Sequence, residues 1–226
     1  MVNGHYLGHR QRLKAKLAQN VQGLLDYELL EVLLGYALPR KDTKPMAKAL
    51  LGKFKNFKNI LLASKQDLLS VPGLGEGFYL FLLTIKELLF RAEQQKFVQG
   101  DDTITSPEDV FNLFKFKLSA QDKEEFWIVL LNTKNKIIKI KKLAQGTVDS
   151  APVYFREILE GIFESGAKSF ILIHNHPSGD PEPSAGDKII TEKMQQICTH
   201  LEINFLDHVI IGKDNFFSFK QELNCI

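Results

Sequence analysis

The most informative part of the chain is a stretch in its C-terminal half: Ile171-Leu172-Ile173-His174-Asn175-His176-Pro177-Ser178-Gly179-Asp180-Pro181-Glu182-Pro183-Ser184-Ala185-Gly186-Asp187. An apolar run ends in His-x-His, and prolines and a glycine then stop the extended chain, which predicts a strand followed by a turn. The Ser-x-x-Asp that comes next marks the start of a helical pattern. The stretch therefore predicts a strand, a short loop and a helix, with polar side chains at the junctions.

The spacing of the polar residues in this stretch indicates a metal site. His174 and His176 lie two residues apart, so in a strand both imidazoles point to the same side. Ser184 and Asp187 lie three apart, a spacing that serves a helix-capping box as well as a ligand position. Two imidazoles and a carboxylate are ligands that zinc accepts, and they leave a fourth position for water. The pattern predicts a hydrolytic Zn²⁺ site with His174, His176 and Asp187 as metal ligands.

The residues from 106 to 226 alternate between strand and helix patterns. An apolar run at 126–131 predicts a buried strand, and partial alternation at 136–142 predicts an antiparallel partner with one wet face. Further segments are predicted as helices at 153–165 and 187–200, and as strands at 169–174, 203–211 and 216–219. The fold class predicted for this half is α/β (α+β), with a mixed or largely antiparallel sheet flanked by helices.

The first hundred residues have a largely helical pattern, with predicted helical segments at 24–34, 43–51, 60–69 and 78–95. Periodicity is lost at 97–105, which predicts a helical domain at 1–96, a linker at 97–105 and a second domain at 106–226. Residues 1–100 contain 15 Lys and Arg against 8 Asp and Glu, a balance of +7, whereas residues 101–226 contain 14 against 19, a balance of −5. This asymmetry favours two units, of which the first is the better candidate to meet a polyanion.

Two classes of location are disfavoured by the sequence. The chain contains no run of 18 or more uncharged apolar residues, which disfavours a transmembrane helix and a membrane partner. Its first sixteen residues are basic and have no apolar core of the kind found in signal peptides, which predicts a cytoplasmic protein.

The spacing of the metal-site residues resembles that of a known family. His-x-His followed by seven residues and Ser-x-x-Asp resembles the JAMM (MPN+) metalloprotease motif. The wider context, from His174 to Asp180 and from Leu206 to Gly212, is similar to the bacterial RadC family, and a looser similarity begins at Gly8-His9-Arg10-Gln11-Arg12-Leu13. The resemblance implies a JAMM/MPN-like domain that holds zinc through His174, His176 and Asp187 and cleaves an amide or isopeptide bond.

The resemblance also implies two catalytic residues. One is a glutamate on the first strand that takes a proton from water, and the best match is Glu125, ahead of Glu124 and of Glu157 on the following helix. A general base of this kind is worth about 10²–10⁴-fold in rate. The other is Ser184, which by the family motif donates a hydrogen bond to the developing oxyanion.

The segment Leu69-Ser70-Val71-Pro72-Gly73-Leu74-Gly75 resembles a helix-hairpin-helix module, in which the two glycines let backbone N–H groups approach a DNA phosphate. Gly73 and Gly75 are therefore candidate DNA-binding residues, with Lys53, Lys55 and Lys58 as candidate electrostatic contacts. Glu76 places a negative charge at the same point. A tight packing turn between two helices explains the glycines equally well.

Three functional hypotheses follow. The preferred one is a zinc-dependent hydrolase of RadC type that acts on an unknown peptide or protein substrate, with a link to DNA repair or recombination implied by the family. The second is a metal-dependent DNA nuclease that uses the same site. The third is a non-catalytic DNA-binding protein with structural zinc, which the open fourth ligand position disfavours.

Overall fold

A computed structural model describes residues 5–99, 102–146 and 151–223 and divides the chain into two compact units, Met1–Lys86 and Glu87–Ile226. The helices are α1 (His5–Gln19), α2 (Asp26–Ala37), α3 (Lys44–Phe54), α4 (Phe57–Leu61), α5 (Lys65–Leu69), α6 (Glu76–Gln99), α7 (Pro107–Leu118), α8 (Ala151–Ser165), α9 (Ala185–Leu201) and α10 (Phe219–Leu223). The strands are β1 (Glu125–Leu131), β2 (Ile137–Gln145), β3 (Ser169–Asn175), β4 (Asn204–Ile211) and β5 (Phe216–Ser218).

The first unit is helical, as the sequence predicted. Its core is formed by the apolar faces of α2, α3, α4, α5 and the start of α6, with Leu34, Leu50 and Leu68 fully buried. The predicted segment at 60–69 is divided between α4 and α5, because Ser64 caps a new helix by accepting a hydrogen bond from the N–H of Asp67.

The second unit contains a five-stranded sheet in the order β2-β1-β3-β4-β5. Strand β1 is antiparallel to both β2 and β3, β3 is parallel to β4, and β4 is antiparallel to β5. The predicted fold class, helices followed by a mixed sheet with flanking helices, is confirmed.

The two faces of this sheet are covered by different helices. Residues such as Val129 and Ile173 face a core built with α7, whereas Ile128 and Leu172 face a core built with α8 and α9. Strand β3 lies in the middle and is buried along its whole length, which explains why it is an apolar run rather than an alternating one. Its C-terminal end, where the apolar run stops, is the position of the candidate site.

The boundary between the units differs from the predicted linker. Helix α6 continues to Gln99, and the units divide after Lys86, inside this helix. Phe90 and Phe97 belong to the C-terminal part of α6 and pack into the core beside α7. This packing stabilises the last turns of the helix, where the periodicity of the sequence is weak. Residues 100 and 101 of the predicted linker lie outside the described residues. Across the three described ranges, no helix is both long enough and apolar enough to span a membrane.

The start of α7 provides a test of pH-dependent stability. Asp109 accepts hydrogen bonds from the backbone N–H groups of Thr105 and Ser106 and from the Thr105 hydroxyl. Burial opposes ionisation, but these hydrogen bonds outweigh it and hold the pKa of Asp109 below its ordinary value. The stabilisation is therefore present at neutral pH and is lost as the pH falls through the lowered pKa of the folded state.

We expect Asp109→Asn to lower the free energy of unfolding by about 1–3 kcal/mol at pH 7, the range for hydrogen bonds to a charged group. The difference from the wild type should shrink as the pH is lowered from 6 to 2, because below about pH 4 the unfolded wild type binds a proton that folded Asp109 still resists. Urea unfolding at each pH measures it, and a difference that is constant over this range would contradict the assignment.

Candidate metal centre

The three predicted metal ligands come from two adjoining elements. His174 lies near the end of β3, His176 follows directly after the strand, and Asp187 is in the first turn of α9. The connecting loop is fixed to the end of β4, because the N–H of His176 donates to the Ile211 carbonyl at 3.1 Å and the N–H of Lys213 donates to the Gly179 carbonyl at 2.9 Å. The loop therefore returns the chain to the strand end, where α9 begins.

The ligand atoms of these residues converge. His174 Nε2 lies 3.1 Å from His176 Nε2 and 3.1 Å from Asp187 Oδ1, and His176 Nε2 lies 3.4 Å from Asp187 Oδ2. A tetrahedral ion with bonds of about 2.0–2.1 Å separates neighbouring ligands by about 3.3 Å. The two imidazole nitrogens and the Asp187 carboxylate therefore lie near the spacing that a zinc-sized ion needs. One ligand atom from each of the three side chains lies within 4.8 Å of the other two, so they could hold one ion together.

Asp187 also caps helix α9. Its Oδ2 accepts hydrogen bonds from the N–H of Ser184 at 2.8 Å and from the Ser184 hydroxyl at 2.6 Å, while its own N–H donates to Ser184 Oγ at 3.2 Å. Asp187 can therefore serve both as a helix cap and as a metal ligand, because Oδ1 is directed at His174 while Oδ2 closes the capping box. The Ser184 hydroxyl, predicted to serve an oxyanion, donates to Asp187 in this arrangement.

The electrostatics of the site reflect this contact. Burial of Asp187 opposes its ionisation, but the adjacent imidazoles of His174 and His176 and the Ser184 hydroxyl outweigh burial and hold the pKa of Asp187 far below its ordinary value. Hydrogen bonding to Asp187 raises the pKa of His176, against the effect of partial burial. The carboxylate is therefore ionised at neutral pH, which is the form that binds a cation.

Both imidazoles are held through the nitrogen that faces away from Asp187. His176 Nδ1 lies 2.8 Å from the Asp180 carbonyl, which can only accept a hydrogen bond. His174 Nδ1 lies 2.9 Å from Nε2 of His208, a ring that is completely buried. His208 lies in β4, and its ring contacts a candidate metal ligand. Burial and the neighbouring His174 hold the pKa of His208 well below its ordinary value.

The predicted base, Glu125, lies on the wrong side of the sheet. Phe126 is paired with His174 in the antiparallel register and stacks on its ring at 5.4 Å between centroids. Because side chains alternate along a strand, Glu125 faces the opposite side. There it accepts hydrogen bonds from Trp127 Nε1 at 3.0 Å and from Lys142 Nζ at 3.3 Å. The structure therefore does not bring Glu125 to the metal ligands.

Glu124, the runner-up, lies directly before β1 and lines the pocket that His176 and Asp187 also line. It is half-buried, and its charge contributes to raising the pKa of His176. The pocket at the metal centre is lined by Glu124, His176, Pro177, Ser178, Asp180, Glu182, Ser184, Gly186, Asp187 and Ile190. Glu157, the third candidate, lies on α8 and is not among these lining residues.

The predicted hairpin lies in the turn between α5 and α6. Gly73 has φ of +86°, a conformation that favours glycine, and a Cβ there would lie 3.1 Å from the Met46 side chain. A Cβ at Gly75 would have no heavy atom within 4 Å. Glu76 begins α6 and forms an ion pair with Lys65 at 2.8 Å. The hairpin thus has an acidic side chain at the helix start where a phosphate would bind.

The lysines predicted to contact DNA lie on α3, α4 and the turn between them. Lys53 Nζ donates to the Asp67 carbonyl at 2.8 Å and to the Ser70 hydroxyl at 2.5 Å. Lys55 Nζ donates to the Gly52 carbonyl at 2.7 Å, and Lys58 lies in α4. In the structure, Lys53 and Lys55 are therefore occupied with the ends of neighbouring helices.

Fold and site together define an α+β domain with a candidate metal centre of two histidines and an aspartate. A family model described as a RadC-like JAB domain matches residues 104–224. The UPF0758 protein of Fusobacterium nucleatum subsp. nucleatum is 36% identical over 222 residues, which cover 95% of this chain and 96% of that protein. The chain belongs to the RadC-like JAB family, which confirms the resemblance noted in the sequence.

Proposed function

We propose that this protein is a zinc-dependent hydrolase of RadC type that cleaves an amide or isopeptide bond. The observation that carries the proposal is the convergence of His174, His176 and Asp187, with donor atoms 3.1–3.4 Å apart, beside a pocket that Glu124 also lines. Three protein ligands are typical of catalytic zinc sites, whereas structural sites usually have four.

The residues divide the chemical work among them. When bound, zinc acts as a Lewis acid and lowers the pKa of water to about 7. Glu124 takes a proton from the attacking water and passes it to the leaving nitrogen. Ser184 can donate to an oxyanion when its hydroxyl turns away from Asp187 Oδ2, which keeps the hydrogen bond from the Ser184 N–H.

The charge of the pocket favours a peptide over DNA as substrate. Besides the ligand Asp187, its walls carry the carboxylates of Glu124, Asp180 and Glu182, and no lysine or arginine lines it within the part of the chain that the structure describes. A DNA backbone brings about one negative charge per 1.7 Å of duplex and needs cations to neutralise it. The nuclease hypothesis is therefore the weaker second candidate for this site.

DNA contact through the first unit, and with it a role in DNA repair or recombination, is a separate proposal. Its support is the balance of +7 over residues 1–100 and the backbone of the Gly73 turn. Glu76 and the engaged lysines Lys53 and Lys55 weigh against the hairpin itself. The same proposal underlies the third hypothesis, a DNA-binding protein with structural zinc.

A metal-content and substrate screen tests the proposal. We expect about one zinc per chain by mass spectrometry, and zinc-dependent cleavage in a mixed library of lysine-containing peptides and isopeptide-linked lysine conjugates. His176→Ala should remove both the metal and the cleavage. Zinc-dependent degradation of single- or double-stranded DNA without any peptide cleavage would favour the nuclease instead, and zinc binding with neither activity would favour the non-catalytic alternative.

A further inference from the structure

We propose that Thr191 and His208 are positioning residues that set the tautomer of His174 so that its Nε2 is free to bind the metal. The three side chains form a hydrogen-bonded row, termed here the histidine relay. This inference rests on the proposed metal centre. It assigns a role to two residues, Thr191 and His208, that are not among the three proposed ligands.

The relay starts at Thr191 on α9. Its hydroxyl donates to the Asp187 carbonyl at 2.7 Å, and the same oxygen lies 2.7 Å from His208 Nδ1. A hydroxyl has one proton, and a carbonyl can only accept. When the proton is directed at Asp187, the Thr191 oxygen is the acceptor for His208, and His208 Nδ1 therefore carries a hydrogen.

The position of the hydrogen on His208 determines the position of the hydrogen on His174. A neutral His208 that is protonated on Nδ1 has a lone pair on Nε2, which lies 2.9 Å from His174 Nδ1. His174 then donates from Nδ1 and keeps a lone pair on Nε2, the atom directed at Asp187 and His176. The opposite arrangement, with every proton reversed, would put a hydrogen on His174 Nε2 and block the ligand position.

On the Thr191 side the surroundings favour the first arrangement, whereas Asp187 Oδ1, 3.1 Å from His174 Nε2, favours a hydrogen on that nitrogen until an ion takes its place. His208 is 0% and Thr191 1% exposed, so no bulk water can substitute for a missing partner. In the reversed arrangement the Thr191 proton would leave the Asp187 carbonyl and point at His208 instead. Groups that hold the second nitrogen of a ligating histidine typically contribute about 10–100-fold to metal affinity.

Replacement of Thr191 gives a matched pair of variants. Thr191→Val keeps the shape but leaves His208 Nδ1–H without an acceptor, which favours the reversed arrangement. Thr191→Ser keeps the hydroxyl. We expect the Val variant to bind zinc about 10–100-fold more weakly than the wild type and the Ser variant to stay within about threefold. Competition with a fluorescent zinc chelator measures both, and circular dichroism confirms that each variant is folded.

The tautomers give a readout that a simple packing role would not change. In ¹⁵N-labelled, metal-free wild type, long-range ¹H–¹⁵N correlation should show His208 protonated on Nδ1, whereas a free imidazole in water prefers Nε2. Metal-free Thr191→Val should move His208 toward the Nε2–H form. As a second route, His208→Gln keeps an acceptor near the Nε2 position and should retain more zinc affinity than His208→Leu.

The outcomes separate this inference from the proposed function. A wild-type protein that binds no zinc would overturn the metal centre itself. A wild type that binds zinc, with Thr191→Val equal to it in affinity and in the His208 tautomer, would overturn the relay and leave the metal centre intact. Equal losses in the Val and Ser variants would assign Thr191 a packing role and would also overturn the relay.

Discussion

Replacement of Glu124 by glutamine is expected to lower turnover by about 10²–10⁴-fold while the zinc content stays at the wild-type level. Glutamine has nearly the shape of glutamate but cannot take a proton from water. Glu124 lines the pocket with His176 and Asp187 but is not one of the three convergent ligands. The variant should therefore separate proton transfer from metal binding, when assayed on a peptide from the library screen with parallel metal analysis.

The adjacent residue is the matched control. Glu125→Gln makes the same chemical change one residue along, on the face of β1 that carries Trp127, and it keeps an acceptor for the Trp127 Nε1–H. We expect its turnover to stay within a few-fold of the wild type. If Glu125→Gln were the inactive variant and Glu124→Gln the active one, the placement of the base derived from the strand register would be wrong. A loss of zinc in Glu124→Gln would instead make Glu124 a ligand.

The choice between these glutamates shows where inference from the sequence stops. His174 and His176 could be placed on one side of a strand because alternation is a local property. Asp187 could be brought near them because the loop after His176 is short. The side that Glu125 faces depends on how β1 pairs with β3, which lies about fifty residues further along the chain. The apolar run after Glu125 is buried on both faces and has no alternation that reveals the register.

The residues behind the ligands were beyond sequence reasoning for the same reason. Thr191 and His208 belong to α9 and β4, and only the folded arrangement brings them to His174. A histidine inside an apolar strand was the one available signal, since a buried polar group needs a partner. The boundary between the two units could not be predicted from the sequence either. It lies inside α6, and the helical periodicity of this segment does not change at Lys86.

Replacement of Asp187 is expected to abolish zinc binding. Two variants separate its role as a metal ligand from its role as a helix cap. Asp187→Ala removes the metal ligand and the helix cap together. Asp187→Asn removes the negative charge but leaves an oxygen that can accept from the N–H of Ser184. We expect both variants to lose bound zinc. Both variants should also lower the unfolding free energy of the metal-free protein at pH 7, because each removes the charge that interacts with His174 and His176. The alanine variant should lower it further, because it also removes the acceptor for the N–H of Ser184.

Thermal unfolding with and without zinc distinguishes these contributions. A ligand that binds only the folded state stabilises it by about 2.7 kcal/mol at one hundred times its Kd, so the wild-type Tm should rise as zinc is added. The Tm of both Asp187 variants should stay unchanged by zinc, and without zinc both should unfold below the wild type, the alanine variant at the lower temperature of the two. Retention of one zinc per chain by Asp187→Asn would mean that a charged carboxylate is not required. Retention by Asp187→Ala would reduce Ser184 and Asp187 to a helix cap, and the ion would then need a ligand other than Asp187.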